Sequence, residues 1–153
     1  MLTFNGIIQI IMGGIGSVGF SILYHIRGAK ILLAGLGGVI SWGLFLLLEG
    51  ILPSEALRYF ISSAVIGIYS EVLARVQKTP TTTYIVPSII PLVPGGSLYN
   101  TMKFAVSNDW NACLSKAFDT FILALALALG VIFISSFFRM GTAIMWHIKN
   151  KKL

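Results

Sequence analysis

Charge is scarce in this chain. Only 10% of its 153 residues are Asp, Glu, Lys or Arg, where a water-soluble fold of this size carries roughly 25%, so a soluble domain is excluded. Acids are scarcer still: Glu49, Glu55, Glu71, Asp109 and Asp119 are all there are, and the histidines are His25 and His147. No metal cluster at ligand spacing can be built from that set, nor a nucleophile with its base and orienting group. No metal, cofactor or catalytic residue is therefore expected. Cys113 is the one cysteine, which excludes an internal disulfide and a redox pair. Lys and Arg are absent ahead of the first apolar run at Phe4, so that run reads as a first membrane helix and not a cleaved leader.

What is abundant is apolar sequence: 56% of residues are hydrophobic and the mean hydropathy is +0.89. Stretches of about 20 apolar residues cross a hydrocarbon core of about 30 Å. Windows of about 19 residues place spans at 4–24, 31–48, 56–77, 82–99 and 118–138, the last preceded by a helical stretch from Trp110. The chain reads as an all-α integral membrane protein, one membrane domain over 1–153. Its expected architecture is a bundle of about five transmembrane helices whose fourth is broken by proline and glycine.

The net charge is +6, and its distribution orients the bundle. Arg27 and Lys30 lie in the first loop, Arg75 and Lys78 at the third, and Arg139, Lys149, Lys151 and Lys152 in the tail. With five spans these fall on one side, which by the positive-inside rule puts the N-terminus outside and the C-terminus in the cytoplasm. The basic residues border apolar helices, so the expected contact is anionic lipid and not nucleic acid. Trp146 and His147 read as an interfacial anchor beside the tail lysines, and His25 as interfacial too.

Gly14, Gly16 and Gly19 spell G-x-G-x-x-G, but no strand precedes them and no acid follows until Glu49, so a dinucleotide site is excluded. Gly13, Gly16 and Gly19, with Ala34, Gly38 and Ser41, read instead as small-residue stripes for close helix packing; a subunit interface is the alternative.

The fourth span is the informative one. Pro87, Pro91 and Pro94 stand at i, i+4 and i+7, removing three amide donors and leaving the carbonyls of Thr83, Pro87 and Ile90 without helical partners. Irregular backbone at that depth must be shielded by protein or line a wet cavity. Discontinuous helices of this kind hold substrates in transporters, with half-helix N-termini facing anionic groups. Pro87, Ser88, Pro91, Pro94, Gly95, Gly96 and Ser97 are accordingly the candidate substrate site, with Ser97 expected to cap the outer half-helix. A structural kink without a ligand is the alternative.

Glu71 is the acid deepest in an apolar run, sharing a face with Ser63 and Gly67 at i+4 spacing. Intramembrane acids mark pathways or proton relays, and Glu71 with Arg75 forms the candidate proton-coupling pair. A plain i,i+4 ion pair is the alternative. A hairpin centred near Thr79 sets Glu71 and Pro87 at similar depth, so Glu71 is expected beside the first proline.

Ser70-Glu71-Val72-Leu73-Ala74-Arg75, then Lys78-Thr79-Pro80, then the run from Val86 to Tyr99 resemble the threonine/serine exporter family, in its small-subunit or C-terminal-half type. Glu71, Arg75, Pro87, Pro91, Pro94, Gly95 and Gly96 match its pattern, while Ser88 stands where that pattern has glycine. The resemblance implies export of small carboxylate metabolites, threonine and serine in some members and succinate in others, driven by an ion gradient. It also implies pairing with a longer membrane subunit or with further copies of the chain. A non-transporting scaffold subunit is the rival expectation.

Overall fold

A computed structural model describes residues 4–150, and side chains through 141. Its elements are α1 (Phe4–Leu23), α2 (Lys30–Glu49), α3 (Glu55–Val76), α4 (Thr82–Ile89), a 3₁₀ turn (Ile90–Leu92), α5 (Gly95–Val106) and α6 (Trp110–Asn150). This is an all-α membrane bundle. Four helices are long and apolar enough to cross a membrane, and 82–92 forms a shorter apolar one.

Helix α3 joins two leaves. On one side α1, α2 and α4 pack together; on the other α6 packs along α3 and carries α5. Small residues set the close approaches. Gly14 of α1 lies against Val39 of α2, Gly35 against Val18, and Gly38 against Ser17. The buried stripe of α1 is thus Gly14, Ser17 and Ser21, whereas Gly16 and Gly19 have open space where a side chain would stand. The stripe expected from Gly13, Gly16 and Gly19 is rotated about one residue, because Gly and Ser recur at helical spacing in both phases and the partner helix selects between them. Ser21 and Ser41 serve as small residues here because their hydroxyls return to their own helices: Ser21 donates to the Ser17 carbonyl at 2.8 Å and Ser41 to that of Gly38 at 2.9 Å.

Between α3 and α6 the crossing is at Gly130, where an added Cβ would stand 2.5 Å from the Phe60 carbonyl oxygen and would also meet the Ser63 hydroxyl. One turn on, Gly67 faces Ile134. Helix α6 spans 41 residues, about 61 Å at 1.5 Å per residue, and so extends at both ends past the span expected at 118–138. It does begin at Trp110, after a turn in which Asn108 takes φ 56° and Asp109 caps the Ala112 amide at 3.2 Å. The tail expectations on Trp146, His147, Lys149, Lys151 and Lys152 lie outside the described side chains.

The fourth span is interrupted more sharply than three prolines imply. Pro87 sits inside α4 without ending it, since the Ile90 amide bonds the Pro87 carbonyl and the Val93 amide bonds that of Ile90 at 3.1 Å. Tightening to i→i+3 bonds thereby satisfies two of the three carbonyls expected to be orphaned. The chain turns only at Val93 (ψ 126°) and Pro94 (φ −74°, ψ 57°), an inverse γ-turn closed by Gly95 N–H on the Val93 carbonyl at 2.6 Å. Helix α5 then starts afresh and runs to Val106, beyond the boundary expected at 99. A cluster of Phe45, Tyr59, Leu92 and Leu123, flanked by Trp42, holds this break against α2, α3 and α6.

Candidate functional site

At the start of α5 the backbone leaves two amides free. Gly95 N–H is used in the γ-turn and Leu98 N–H bonds the Pro94 carbonyl at 3.0 Å, while the amides of Gly96 and Ser97 occupy the first turn, where no intrahelical acceptor exists. No side chain caps them. Ser97 lies inside that turn, with Pro94 at the capping position, so the expected Ser97 cap is not formed; its carbonyl instead accepts from Thr101 at 2.9 Å.

These groups open into a chamber of about 340 Å³, at the small end of the range for ligand sites. Pro94, Gly95, Gly96 and Ser97 line one wall and Trp42, Phe45 and Tyr59 another. The aromatic wall is fixed by its own packing: Trp42 stacks on Phe45 with centroids 5.1 Å apart, and Phe45 on Tyr59 at 4.8 Å. Arg58 lies over the outer face of that wall, 5.0 Å from the Phe45 ring and 3.8 Å from Glu49. A Cβ at Gly95 or Gly96 would meet no atom within 4 Å, so no neighbouring group packs against either glycine there. Glu55, Asn100 and Lys116 complete the lining.

The chamber's depth follows from its walls. Helix α4 and its 3₁₀ turn place the break about 18 Å from Thr82, past the middle of a core of about 30 Å. Trp42 and Phe45 lie about 10 and 6 Å short of the end of α2 at Glu49. The chamber thus lies between the middle of the bundle and the end opposite the basic loops.

Other expected site residues are placed elsewhere. Pro87 and Ser88 are fully buried; Ser88 donates to the Ala34 carbonyl at 3.2 Å and Gly37 leaves room for its side chain, which is how a serine fits where the resembled pattern has glycine. Pro91 packs on Gly13. Pro87 also borders a separate cavity of about 310 Å³ at the basic end, with Tyr24, Thr82 and Thr83. The broken helix therefore has a hollow at each end and a packed middle.

Glu71 is 8% exposed and accepts from Arg75 Nη1 at 2.6 Å; the same nitrogen reaches the Glu71 carbonyl at 2.9 Å. The guanidinium stands 4.6 Å from the Phe138 ring centroid. The Gly67, Glu71 and Arg75 stripe is turned to α6, where Gly67 meets Ile134 and Arg75 meets the Phe138 ring. Glu71 and Glu55 are sixteen residues apart on α3, about 24 Å, so the coupling candidate and the chamber are distinct places. Sequence reasoning passed over Glu55, Asn100, Lys116 and the aromatic wall. They come from four helices, and no spacing along the chain signals their meeting.

No curated protein matches the chain, and no solved structure does. The family model described as threonine/serine exporter, ThrE, matches residues 9–137, a stretch that contains the whole of α2 to α5, the Glu71–Arg75 pair and the chamber. By that match, which covers most of its length, the chain belongs to the threonine/serine exporter family, a family of membrane transporters and not of enzymes.

Proposed function

We propose that this chain is a membrane subunit of a secondary exporter for small carboxylate metabolites, threonine and serine or a succinate-like dicarboxylate, and that the chamber at the broken helix is where the carboxylate binds. One observation carries this reading: the unbonded Gly96 and Ser97 amides at the start of a half-helix open, without a covering side chain, into a polar hollow at membrane depth. Such amides favour an anion through direct hydrogen bonds and the helix dipole.

Export against a gradient needs an energy source, and Glu71 is the candidate for proton coupling. Its carboxylate is buried with a single charged partner among the described residues, Arg75. Protonation releases Arg75 from the ion pair while Phe138 still holds the guanidinium, and α6, which carries Phe138, passes the chamber at Lys116. Coupling then travels through α3 and α6 and not by contact between Glu71 and the substrate.

Basic residues at one end of the bundle favour an inner (plasma) membrane location with the N-terminus outside and the C-terminus cytoplasmic. Five crossings cannot contain an inverted repeat that alternates by itself, so the chain works with a longer membrane subunit of the same exporter or with copies of itself. Counterflow of labelled serine, threonine and succinate into proteoliposomes holding the chain, alone and with the longer subunit, tests the proposal. Counterflow of any of the three supports it. Its absence in both preparations favours a scaffold role.

A further inference from the structure

The groove between α3 and α6 ends in a charge. It has a volume of about 600 Å³ and runs from Ile68 to Arg75 on α3 and from Phe133 to Gly141 on α6, about 10–12 Å at 1.5 Å per residue. That is most of one leaflet of a hydrocarbon core of about 30 Å. Phe133 and Phe137 stand exposed along it. Arg75, in the last turn of α3, is the only polar residue among those described that line the groove.

Arg75 has donors to spare. Its side chain is 42% exposed, and both hydrogen bonds that it makes to described residues leave from Nη1 for Glu71. A guanidinium carries five N–H donors, so the edge formed by Nε and Nη2 is left for a further acceptor, while the Phe138 ring fixes the guanidinium by its face. The surroundings favour an anion. Lys78 closes the end of α3, its amide on the Arg75 carbonyl at 3.4 Å, and Arg139 follows Phe138 on α6. Against these three cations stands Glu71 alone, since the other acids, Glu49, Glu55, Asp109 and Asp119, lie toward the opposite end of the bundle.

We infer that the α3–α6 groove binds one anionic phospholipid: an acyl chain lies along the groove, and the open edge of Arg75 holds the headgroup phosphate, with Lys78 and Arg139 selecting the negative charge. The planar fork of arginine suits a pair of phosphate oxygens, and a long cationic side chain at the end of a membrane helix reaches headgroup level. The site is independent of the chamber and of the substrate. It shares Arg75 with the coupling pair, Glu71 keeping Nη1 and the lipid taking the other edge.

Native mass spectrometry of the purified full-length protein in detergent, with phosphatidylglycerol and phosphatidylcholine of identical acyl chains added in equal amounts, tests the site. The wild-type protein should retain phosphatidylglycerol in preference by on the order of tenfold, the effect of two uncompensated cations near a headgroup. Lys78→Gln, at an exposed position, needs no repacking and should narrow that preference about fivefold. Gly141→Leu, whose Cβ meets no atom within 4 Å, puts a side chain into the groove and should lower phosphatidylglycerol retention on the order of tenfold; Gly50→Leu, also in open space, should not. Glu71→Gln with Arg75→Gln removes the guanidinium without leaving an unpaired acid or changing the net charge, and should lower retention as far as Gly141→Leu does. Equal retention of the two lipids by the wild-type protein overturns the site. So does an unchanged preference in Lys78→Gln, or unchanged retention in Gly141→Leu or in the double variant, which would move the lipid elsewhere on the basic end. Displacement of the lipid by an equal concentration of glycerol phosphate overturns it too, by reducing it to an anion site without the groove. A dimer that retains no phosphatidylglycerol assigns the groove to a second copy and overturns the lipid site.

Discussion

Glu71 could have been a costly isolated acid, because an unpaired carboxylate at membrane depth is expensive. Arg75 one turn later offsets that cost, and the Phe138 ring holds the guanidinium in place through its π face. Glu71→Gln removes the charge but not the arrangement, since Arg75 keeps the Glu71 backbone carbonyl and the ring as partners. We therefore expect Glu71→Gln to insert and fold, to lose export driven by a pH gradient, and to retain exchange of substrate across the membrane. Transport assays with and without an imposed gradient check this. An unchanged rate with wild-type dependence on the gradient would reduce Glu71 to an ion-pair partner.

At the scale of elements, packing and function are separable among the glycines. An added methyl at Gly130 would meet the Phe60 carbonyl and Ser63, and at Gly37 it would meet Ser88. Gly130→Ala and Gly37→Ala should each destabilise the bundle by about 1–3 kcal/mol, the cost of overpacking, and lower its melting temperature in detergent. Gly16→Ala and Gly19→Ala, facing open space, should leave it unchanged. The broken helix makes a different kind of prediction. In a Cys113→Ser background, Ser97→Cys should react with a water-soluble maleimide and Gly16→Cys should not, because position 97 lines the chamber and position 16 lies mid-way along the outer face of the apolar helix α1. Equal reactivity would deny the chamber access to water. Much of this element was legible from sequence: three prolines and a glycine pair announced an interruption. Which proline turns the chain was not, because Ile90 and Val93 can each bond three residues back and absorb Pro87 and Pro91. Only Pro94, preceded by extended Val93 and followed by two glycines, redirects the backbone.

The whole molecule carries what no single element does. Periodicity and hydropathy located the four helices that are long and apolar enough to cross a membrane, since each depends on residues adjacent in sequence. That Glu55 and Lys116 line one hollow depends on how α3 and α6 pack, which no stretch of sequence carries. The α1 glycine phase escaped for the same reason. Orientation is testable with the chain's own thiol: Cys113 lies in the first turns of α6, at the end away from the basic loops, and should label from outside in intact cells. Lys152→Cys, in a Cys113→Ser background, should label only after permeabilisation. The reverse pattern would invert the topology and turn the chamber toward the cytoplasm. The central claim is that a carboxylate substrate binds the open amides at the start of α5, and labelled-serine counterflow in proteoliposomes tests it most directly when Gly96→Leu is compared with Gly16→Leu. Neither substitution meets a neighbouring atom at Cβ, so both proteins should fold. The account predicts background counterflow for Gly96→Leu and a rate within about twofold of wild type for Gly16→Leu, as expected of a surface change; wild-type counterflow by Gly96→Leu would contradict it.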